Sequence, residues 1–294
     1  MKFNVVSAPS WNHHRFGWSY VNCLKEKFHD EKSDILFFEW VDGFFTDNKT
    51  IKCKWSGIIH NVVDYPEEYK KRNDIKIICL RDLVKKKEFL DSLENCISLF
   101  TLSKNTSLFL KKNNIKSFSL THPSPFIFQW KEFKGRVITV GQWMRKINSI
   151  LDLKTDYKKS ILKVPWKEPY LNLDISNIDI IDYQPFLKFD KLIEESVVFL
   201  DLYDAAACNT ILECIMSNTP ILVNRINATE EYLGCDYPLL YDSIEQAGSI
   251  LNEKNIMKAN IYLKNKEKCK FSINYFLNDI QKFTKRSLAF RYGL

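Results

Sequence analysis

The sequence lacks several signals that would assign it to a class at once. Its 294 residues contain no stretch approaching the roughly 18 uninterrupted apolar residues of a membrane-spanning helix, so we expect peripheral membrane contact at most. The opening residues MKFNVVSAPSWNHH lack the apolar run of a signal peptide, and the eight cysteines include no C-x-x-C pair. Both absences favour reduced thiols and a cytoplasmic location.

Dinucleotide-binding and nucleic-acid-binding signatures are missing too. Because there is no G-x-G-x-x-G fingerprint, a nicotinamide dehydrogenase is disfavoured. The formal charge of +7 would suit an anionic partner, but much of it lies in solvated runs such as LVKKKEFL and YLKNKEKCK. The stretch KFTKRSLAFRYG interleaves basic and aromatic residues as single-strand binders do. Since the basic residues are otherwise dispersed, a nucleic-acid-binding module is a secondary alternative.

Apolar runs of strand length alternate with segments of helical period in two series. The first series is KFNVVSA, DILFFEW, WSGIIH, IKIICL and CISLFTL, and the second is VITVG, NIDIIDY, SVVFLDLY, TPILVNR and YPLLY. Because these runs are continuously apolar, the strands are expected in parallel sheets covered on both faces. The pattern predicts the α/β class, with two doubly wound Rossmann-like domains facing across a cleft.

The stretch HPSPFIFQWKEFKG interrupts the periodicity with two prolines and a glycine, and it marks the domain boundary. We therefore assign residues 1–130 to the first domain and residues 131–270 to the second. Residues 271–294 carry apolar side chains at roughly helical spacing and are predicted to form a terminal helix. Doubly wound domains bind ligands at the carboxyl ends of their strands, so the turns that follow the strands are the candidate sites.

One such turn opens the stretch DAAACNTILECIMSNTPILVNR, in which Glu213 follows Asn209 and Thr210. Thr210 and Glu213 have the spacing of a capping box, which would stabilise a helix by about 1 kcal/mol. Alternatively, the backbone N–H groups around Asn209 face an anion at the helix N-terminus, while Glu213 accepts hydrogen bonds from sugar hydroxyls. Spacing alone leaves both interpretations open.

Three segments, in this order, resemble the retaining glycosyltransferases of the GT-B fold, particularly family 4. They are GIIHN, VITVGQWMRKINSI and VVFLDLYDAAACNTILECIMSNTPILVNRINATEEYLG. The resemblance implies that Glu213 holds the donor ribose and that the turn at Asn209 and Thr210 contacts phosphate. It also implies a glycine turn and a basic pair that grip the diphosphate, and a first-domain histidine beside the reacting sugar; these residues are Gly141, Arg145, Lys146 and His60.

Two features depart from the family pattern. A second acidic residue usually stands eight positions before the helical glutamate, whereas this chain has Ala205 there, and either Asp204 or Asp201 would have to replace it. The family's arginine commonly follows the glycine directly, whereas Arg145 and Lys146 are adjacent and lie further on. For Arg145 a structural ion pair is the alternative role.

The first domain contributes two candidate residues. Gly17 lies in the first βα turn, after His13 and His14, where a glycine would let the backbone approach a diphosphate. His60 follows the apolar run WSGII at a predicted strand end. It is either a structural side chain or, given the resemblance, a contact to the donor sugar or to a backbone carbonyl that shapes the acceptor pocket.

The resemblance implies a retaining hexosyltransferase, which we expect to be metal-independent. It would move a sugar from a nucleoside-diphosphate sugar, GDP-mannose first and a UDP-sugar second, to a hydroxyl of a glycan or glycoprotein. The second domain would bind this donor and the first domain the acceptor, with the terminal helix packing back on the first. The lack of a D-x-D pair agrees with metal independence, and no cofactor is expected. The main alternative is a nucleotide-sugar-binding non-transferase, such as an epimerase or an inactive homologue, and a homodimer is left open.

Overall fold

The chain forms two compact units. The computed structural model describes residues 1–8, 17–71, 78–126, 128–163 and 175–292. Unit 1 consists of Met1–Pro123, Ala205–Ala207 and Cys269–Leu294, and unit 2 consists of Ser124–Asp204 and Cys208–Lys268. No helix in the described ranges is long and apolar enough to cross a membrane.

Unit 1 is built on a sheet of five parallel strands that lie side by side in chain order. The strands are β1 (Asn4–Val6), β2 (Leu36–Phe38), β3 (Trp55–Ile59), β4 (Cys96–Thr101) and β5 (Phe118–Ser119). The strand predicted at IKIICL is wrong where the structure describes it, because β3 pairs directly with β4 and Leu80 begins a helix.

Helices cover both faces of this sheet. Side chains that follow one another in a strand point to opposite faces, so Phe37 and Ile58 join one buried cluster while their neighbours Phe38 and Ile59 join another. The covering helices that precede the second unit are α1 (Gly17–Val21), α2 (Cys23–Phe28), α3 (Val41–Phe44), α4 (Glu67–Lys70), α5 (Leu80–Leu83), α6 (Lys87–Ser92) and α7 (Lys104–Lys112).

Unit 2 has a six-stranded parallel sheet whose order reverses once. Its strands are β6 (Arg136–Thr139), β7 (Lys158–Leu162), β8 (Asp179–Ile181), β9 (Ser196–Leu200), β10 (Ile221–Asn224) and β11 (Leu240–Tyr241), arranged as β11-β10-β9-β6-β7-β8. From β6 the chain proceeds to β7 and β8 on one side, and it then returns to β9 on the other side. The gap between β6 and β9 is therefore the point at which the topology switches.

The helices of unit 2 are α8 (Ser149–Asp152), α9 (Phe186–Ile193), α10 (Asn209–Ser217), α11 (Asn227–Leu233), α12 (Ile244–Ile250) and α13 (Glu253–Asn265). Helix α10 buries Ile211, Leu212 and Ile215 against the sheet side of the unit. It ends at Asn218, whose φ of 61° is the left-handed conformation that commonly stops a helix.

The terminal helix α14 (Ile273–Tyr292) belongs to unit 1. Phe276, Leu277 and Ile280 enter the buried cluster that covers one face of the five-stranded sheet. Further along the helix, Phe283 stacks on Phe118 of β5, with ring centroids 4.6 Å apart. Helical spacing of these apolar residues thus places one face of α14 on the sheet.

Candidate functional site

Two turns meet at the switch point of unit 2. The first leaves β6 and runs from Val140 to Lys146, and the second leaves β9 and begins at Asp201. The N–H of Lys146 donates to the carbonyl of Asp201 at 2.8 Å, and the N–H of Tyr203 donates to the carbonyl of Met144 at 3.0 Å. Arg145 and Leu202 form an antiparallel bridge between these bonds, so the two turns are held together by their backbones.

Gly141 is required by the shape of the first turn. Its φ is +70°, a conformation that favours glycine, and a Cβ placed on it would lie 1.6 Å from Nη1 of Arg145. Met144 in the same turn also has a positive φ, 57°, which is unusual for a residue with a long side chain. The turn therefore holds a strained backbone while it places the Arg145 guanidinium against Gly141.

The Arg145 guanidinium has only neutral partners among the described residues. Nη1 donates to the carbonyl of Val140, and Nη2 donates to Oγ1 of Thr210 at 2.9 Å and lies 3.6 Å from Sγ of Cys208. Within the described ranges no carboxylate is close enough to form an ion pair with Arg145, and its buried Nε has no acceptor. A structural ion pair for Arg145, the alternative role, is thus not found there.

Lys146 is arranged differently from its neighbour. Its Nζ lies 3.2 Å from Oδ1 of Asp201 and 5.3 Å from the centre of the Tyr203 ring. The Asp201 side chain is only 10% exposed, whereas that of Lys146 is 42% exposed. Asp201, one of the two acids that could replace the one missing at Ala205, is therefore engaged by Lys146. An ammonium group has three N–H donors, so Lys146 retains the capacity for another acceptor.

The N-terminus of α10 lies against the same guanidinium. The helix begins at Asn209 after Cys208, whose side chain makes no capping hydrogen bond. Thr210 is the second helical residue and contacts Arg145, while Glu213 is the fifth. The capping-box interpretation of Thr210 and Glu213 is therefore wrong, because Thr210 is inside the helix rather than before it. A helix N-terminus carries partial positive charge, so a cation beside it is favourable only when an anion joins them.

Glu213 is half-buried, and its charge acts on the Cys214 thiol, as that of Arg145 does. Burial raises the pKa of the neighbouring Cys214 thiol well above its usual value, the Glu213 carboxylate raises it further, and the Arg145 guanidinium opposes both. Glu213 and Arg145 therefore shift the pKa of the same thiol in opposite directions. Asp204, the other candidate acid, is half-buried beyond the β9 turn.

Asn224 completes the site from the end of β10, and sequence reasoning missed it. Its Oδ1 accepts the N–H of Leu202 and its Nδ2 donates to the carbonyl of Leu202, both at 2.8 Å. A polar residue at the carboxyl end of the apolar run TPILVN was the available signal. Strand ends in parallel sheets are where such residues gather around ligands.

His60 lies in unit 1, directly after β3. Its Nε2 is 2.7 Å from the carbonyl of Glu39, and because a carbonyl only accepts, Nε2 carries the proton. The His60 backbone N–H donates to Oδ1 of Asp42 at 2.7 Å, and its ring packs edge-on against Trp18, with centroids 4.0 Å apart. These contacts orient the imidazole in unit 1, in which Gly17 begins α1.

Burial is the main cause of the raised pKa values of Asp42 and Glu39, the two acids near His60. It raises the pKa of Asp42 to about 6, while hydrogen bonds from the His60 N–H and the Trp40 indole lower it. Burial also raises the pKa of Glu39. Both carboxylates are buried, and each accepts a backbone N–H from a residue that follows a strand: Glu39 from Ala8 after β1 and Asp42 from His60 after β3.

The predicted residues are divided between the units. Unit 1 contains Gly17 and His60, and unit 2 contains Gly141, Arg145, Lys146, Asp204, Asn209, Thr210 and Glu213. His13 and His14 lie outside the described residues. Within the described ranges, no three His, Cys, Asp or Glu side chains are grouped as ligands for a metal ion.

Comparison with known proteins identifies the fold. No protein-family model and no curated protein sequence matches the chain. The structure is similar to TarM, with 16% identity, a TM-score of 0.59, and coverage of 85% of this chain and 54% of TarM. It is similar to the pneumococcal O-GlcNAc transferase GtfA in complex with UDP and GlcNAc, with 12% identity, a TM-score of 0.62, and coverage of 87% and 57%. The lipopolysaccharide outer core galactosyltransferase WaaB gives 12% identity, a TM-score of 0.62, and coverage of 94% and 80%.

These neighbours are GT-B glycosyltransferases, and the predicted α/β GT-B fold is confirmed. The chain spans little more than half the length of TarM and GtfA. At such low identity the likeness defines the fold alone, so membership of family 4 stays a prediction.

Proposed function

We propose that this chain is a glycosyltransferase that moves a sugar from a nucleoside-diphosphate sugar to a hydroxyl acceptor. One observation carries the proposal: the Arg145 guanidinium lies at the N-terminus of α10, at the switch point of unit 2, with only neutral partners among the described residues. Two positive features that meet without a carboxylate form a site for an anion. The anion proposed here is the donor diphosphate.

The proposed chemistry uses these groups on the leaving phosphate. Breaking the bond between the anomeric carbon and the diphosphate leaves negative charge on the departing oxygen. Arg145, Lys146 and the first N–H groups of α10 would stabilise that charge. The backbone hydrogen bonds between the turns after β6 and β9 hold the two side chains in place before the reaction. Asn209 and Thr210 supply the helix N–H groups in this assignment.

Glu213 is assigned to the ribose. It lies four residues after Asn209, which is about 6 Å along the helix axis. A half-buried carboxylate at that distance from the phosphate position suits the ribose hydroxyls, which it would bind as a charged acceptor. The variant Glu213→Gln tests this proposed role.

We propose a UDP-sugar as the donor, since UDP is the nucleotide named with GtfA. GDP-mannose, which the sequence favoured, becomes the comparison ligand. The transfer is proposed to retain the anomeric configuration and to need no metal. An NMR spectrum of the product's anomeric proton checks retention, because an α-linked donor should then give an α-linked product.

Nucleotide binding tests the proposed site directly. Calorimetry with UDP and GDP should show binding to the native chain and a loss of roughly 1.5–3 kcal/mol in Arg145→Ala, the value of a hydrogen bond to a charged group. Arg136→Ala is the matched control, because Arg136 begins β6, the strand that leads to Arg145, and pairs with Asp179 at 2.7 Å. It should lose stability and keep its nucleotide affinity. Equal losses in both variants would count against the site.

A nucleotide-sugar-binding protein without transferase activity is the second candidate. Ala205 stands where the family has an acid, and Asp201 is engaged by Lys146, which leaves Asp204 as the remaining replacement. Release of nucleoside diphosphate together with a glycosylated acceptor would decide for the transferase. The assignment of unit 1 to the acceptor stays a prediction, as do the contacts of Gly17 with the diphosphate and of His60 with the donor sugar.

A further inference from the structure

The segment that follows β9 is hydrogen-bonded to a side chain of β10 instead of to its backbone. In the ladder between β9 and β10, Val198 pairs with Ile221, and Leu200 pairs with Val223 as the last pair of that ladder. Every second residue of β9 directs its N–H and C=O toward β10, as the N–H of Val198 does at 3.0 Å to Pro220. Leu202 continues this alternation beyond the end of the ladder.

Asn224 pairs with the Leu202 backbone through its side chain. Its carboxamide closes a ring of two hydrogen bonds on the Leu202 backbone, each 2.8 Å long. Leu202 is 2% exposed, so these two bonds satisfy buried backbone groups. The amide group thus extends the sheet by one step with a side chain.

The opposite edge of the same segment carries the anion site. The carbonyl of residue 201 accepts the N–H of Lys146, and the N–H of residue 203 donates to the carbonyl of Met144. Leu202 itself is the bridge partner of Arg145. The segment 201–203 therefore lies between the Asn224 amide on one edge and the turn that bears Arg145 and Lys146 on the other. A shift of Leu202 would be passed to Arg145 through backbone hydrogen bonds alone.

We propose that Asn224 is a positioning residue of the anion site, acting on Arg145 and Lys146 through the Leu202 backbone. This inference rests on the proposed function for its role in donor binding. Its structural half, the coupling from Asn224 to the Arg145 turn, can be measured without any nucleotide.

Hydrogen exchange measures that coupling. In Asn224→Ala the amides of Leu202, Tyr203 and Lys146 should exchange about tenfold faster or more, because a buried hydrogen-bonding partner has been removed. Asn224→Asp keeps an acceptor for the Leu202 N–H and loses the donor, so its exchange should be intermediate. Unchanged exchange at Lys146 in Asn224→Ala would overturn the coupling.

Asn260→Ala is the matched control. Asn260 is a fully buried asparagine of unit 2 whose Nδ2 donates to the carbonyl of Asn218 at 2.7 Å. Its replacement should lower stability but leave the exchange of Leu202 and Lys146 unchanged. If both variants accelerate exchange at Lys146 alike, the effect is general loosening of unit 2 and the proposal fails.

UDP titration, corrected for the folded fraction of each variant, tests the functional half. Asn224→Ala should bind UDP about tenfold more weakly, and Asn260→Ala within about twofold of the native chain. Faster exchange with unchanged UDP affinity would refute the positioning role. If the native chain binds neither UDP nor GDP, the proposed function fails, and hydrogen exchange still decides whether Asn224 holds the Arg145 turn.

Discussion

Replacing Gly141 by alanine should displace the Arg145 guanidinium from the N-terminus of α10. The new methyl group would lie 1.6 Å from Nη1 of Arg145. Ordinary contact needs about 3.5 Å, so the guanidinium must move by roughly 2 Å. A movement of that size breaks the 2.9 Å hydrogen bond from Arg145 to Thr210.

The variant should show two separable losses. An alanine at the φ of +70° costs roughly 1–2 kcal/mol of folding stability, whatever its surroundings. Removing a guanidinium from an ionised phosphate costs roughly 1.5–3 kcal/mol of binding free energy. The second loss corresponds to nucleotide affinity reduced by about 10-fold to 150-fold.

Gly135 provides a matched control. It precedes β6 as Gly141 follows it, and it has the same φ of +70°, but a methyl group added to it would meet no atom of the described residues within 4 Å. Gly135→Ala should therefore lose stability through its backbone alone and bind UDP normally. Thermal unfolding measures the first quantity and calorimetry measures the second.

The two variants together can refute the reasoning. If Gly141→Ala binds UDP as tightly as Gly135→Ala, then the position of Arg145 against Gly141 has no part in nucleotide binding. If both lose affinity equally, backbone strain in unit 2 accounts for the loss. Only a selective loss in Gly141→Ala supports the proposed site.

Three further results are expected. Glu213→Gln should weaken UDP binding by roughly 1.5–3 kcal/mol with a smaller change in thermal stability, and a fall in stability with unchanged affinity would remove the ribose role. Turnover should persist in excess chelator, whereas activity that chelator abolishes and magnesium or manganese restores would contradict metal independence. Because burial raises the pKa of Asp42 to about 6, the folded state binds the extra proton, so stability should fall as pH rises from about 4 to 6. Asp42→Asn should flatten that dependence in thermal unfolding, and an unchanged slope would assign it to other groups.

Continuous apolar runs predicted most strands of the two sheets, because a strand that is buried on both faces consists mainly of apolar residues. The runs at β3 and β9 are buried along their whole length. Strand β7, KKSIL, was missed because it begins with two lysines. Lys158 pairs with Asp179 at 3.0 Å, and Lys159 donates to the carbonyl of Leu151, and neither contact is visible in the sequence.

For the candidate site, sequence reasoning identified residue types more readily than the contacts between them. Gly141, Arg145 and Thr210 lie together, as a glycine turn followed by a helix N-terminus suggested. The ion pair between Lys146 and Asp201 joins residues 55 positions apart, so it depends on β6 and β9 being neighbours. Sequence spacing does not show which strands are neighbours, and for the same reason the contact of Asn224 with Leu202 was not predicted.

The charge balance of the turns supports the proposal that Arg145 binds an anion instead of forming a structural ion pair. Lys146 pairs with Asp201 and keeps further donors, whereas Arg145 has no carboxylate partner among the described residues. The N-terminus of α10 adds about half an elementary charge of the same sign. A half-buried guanidinium is costly without a counter-charge, and a purely structural role would have been served by a carboxylate on a neighbouring strand end. The fold instead provides neutral acceptors that hold the guanidinium in place, which leaves its charge for a ligand.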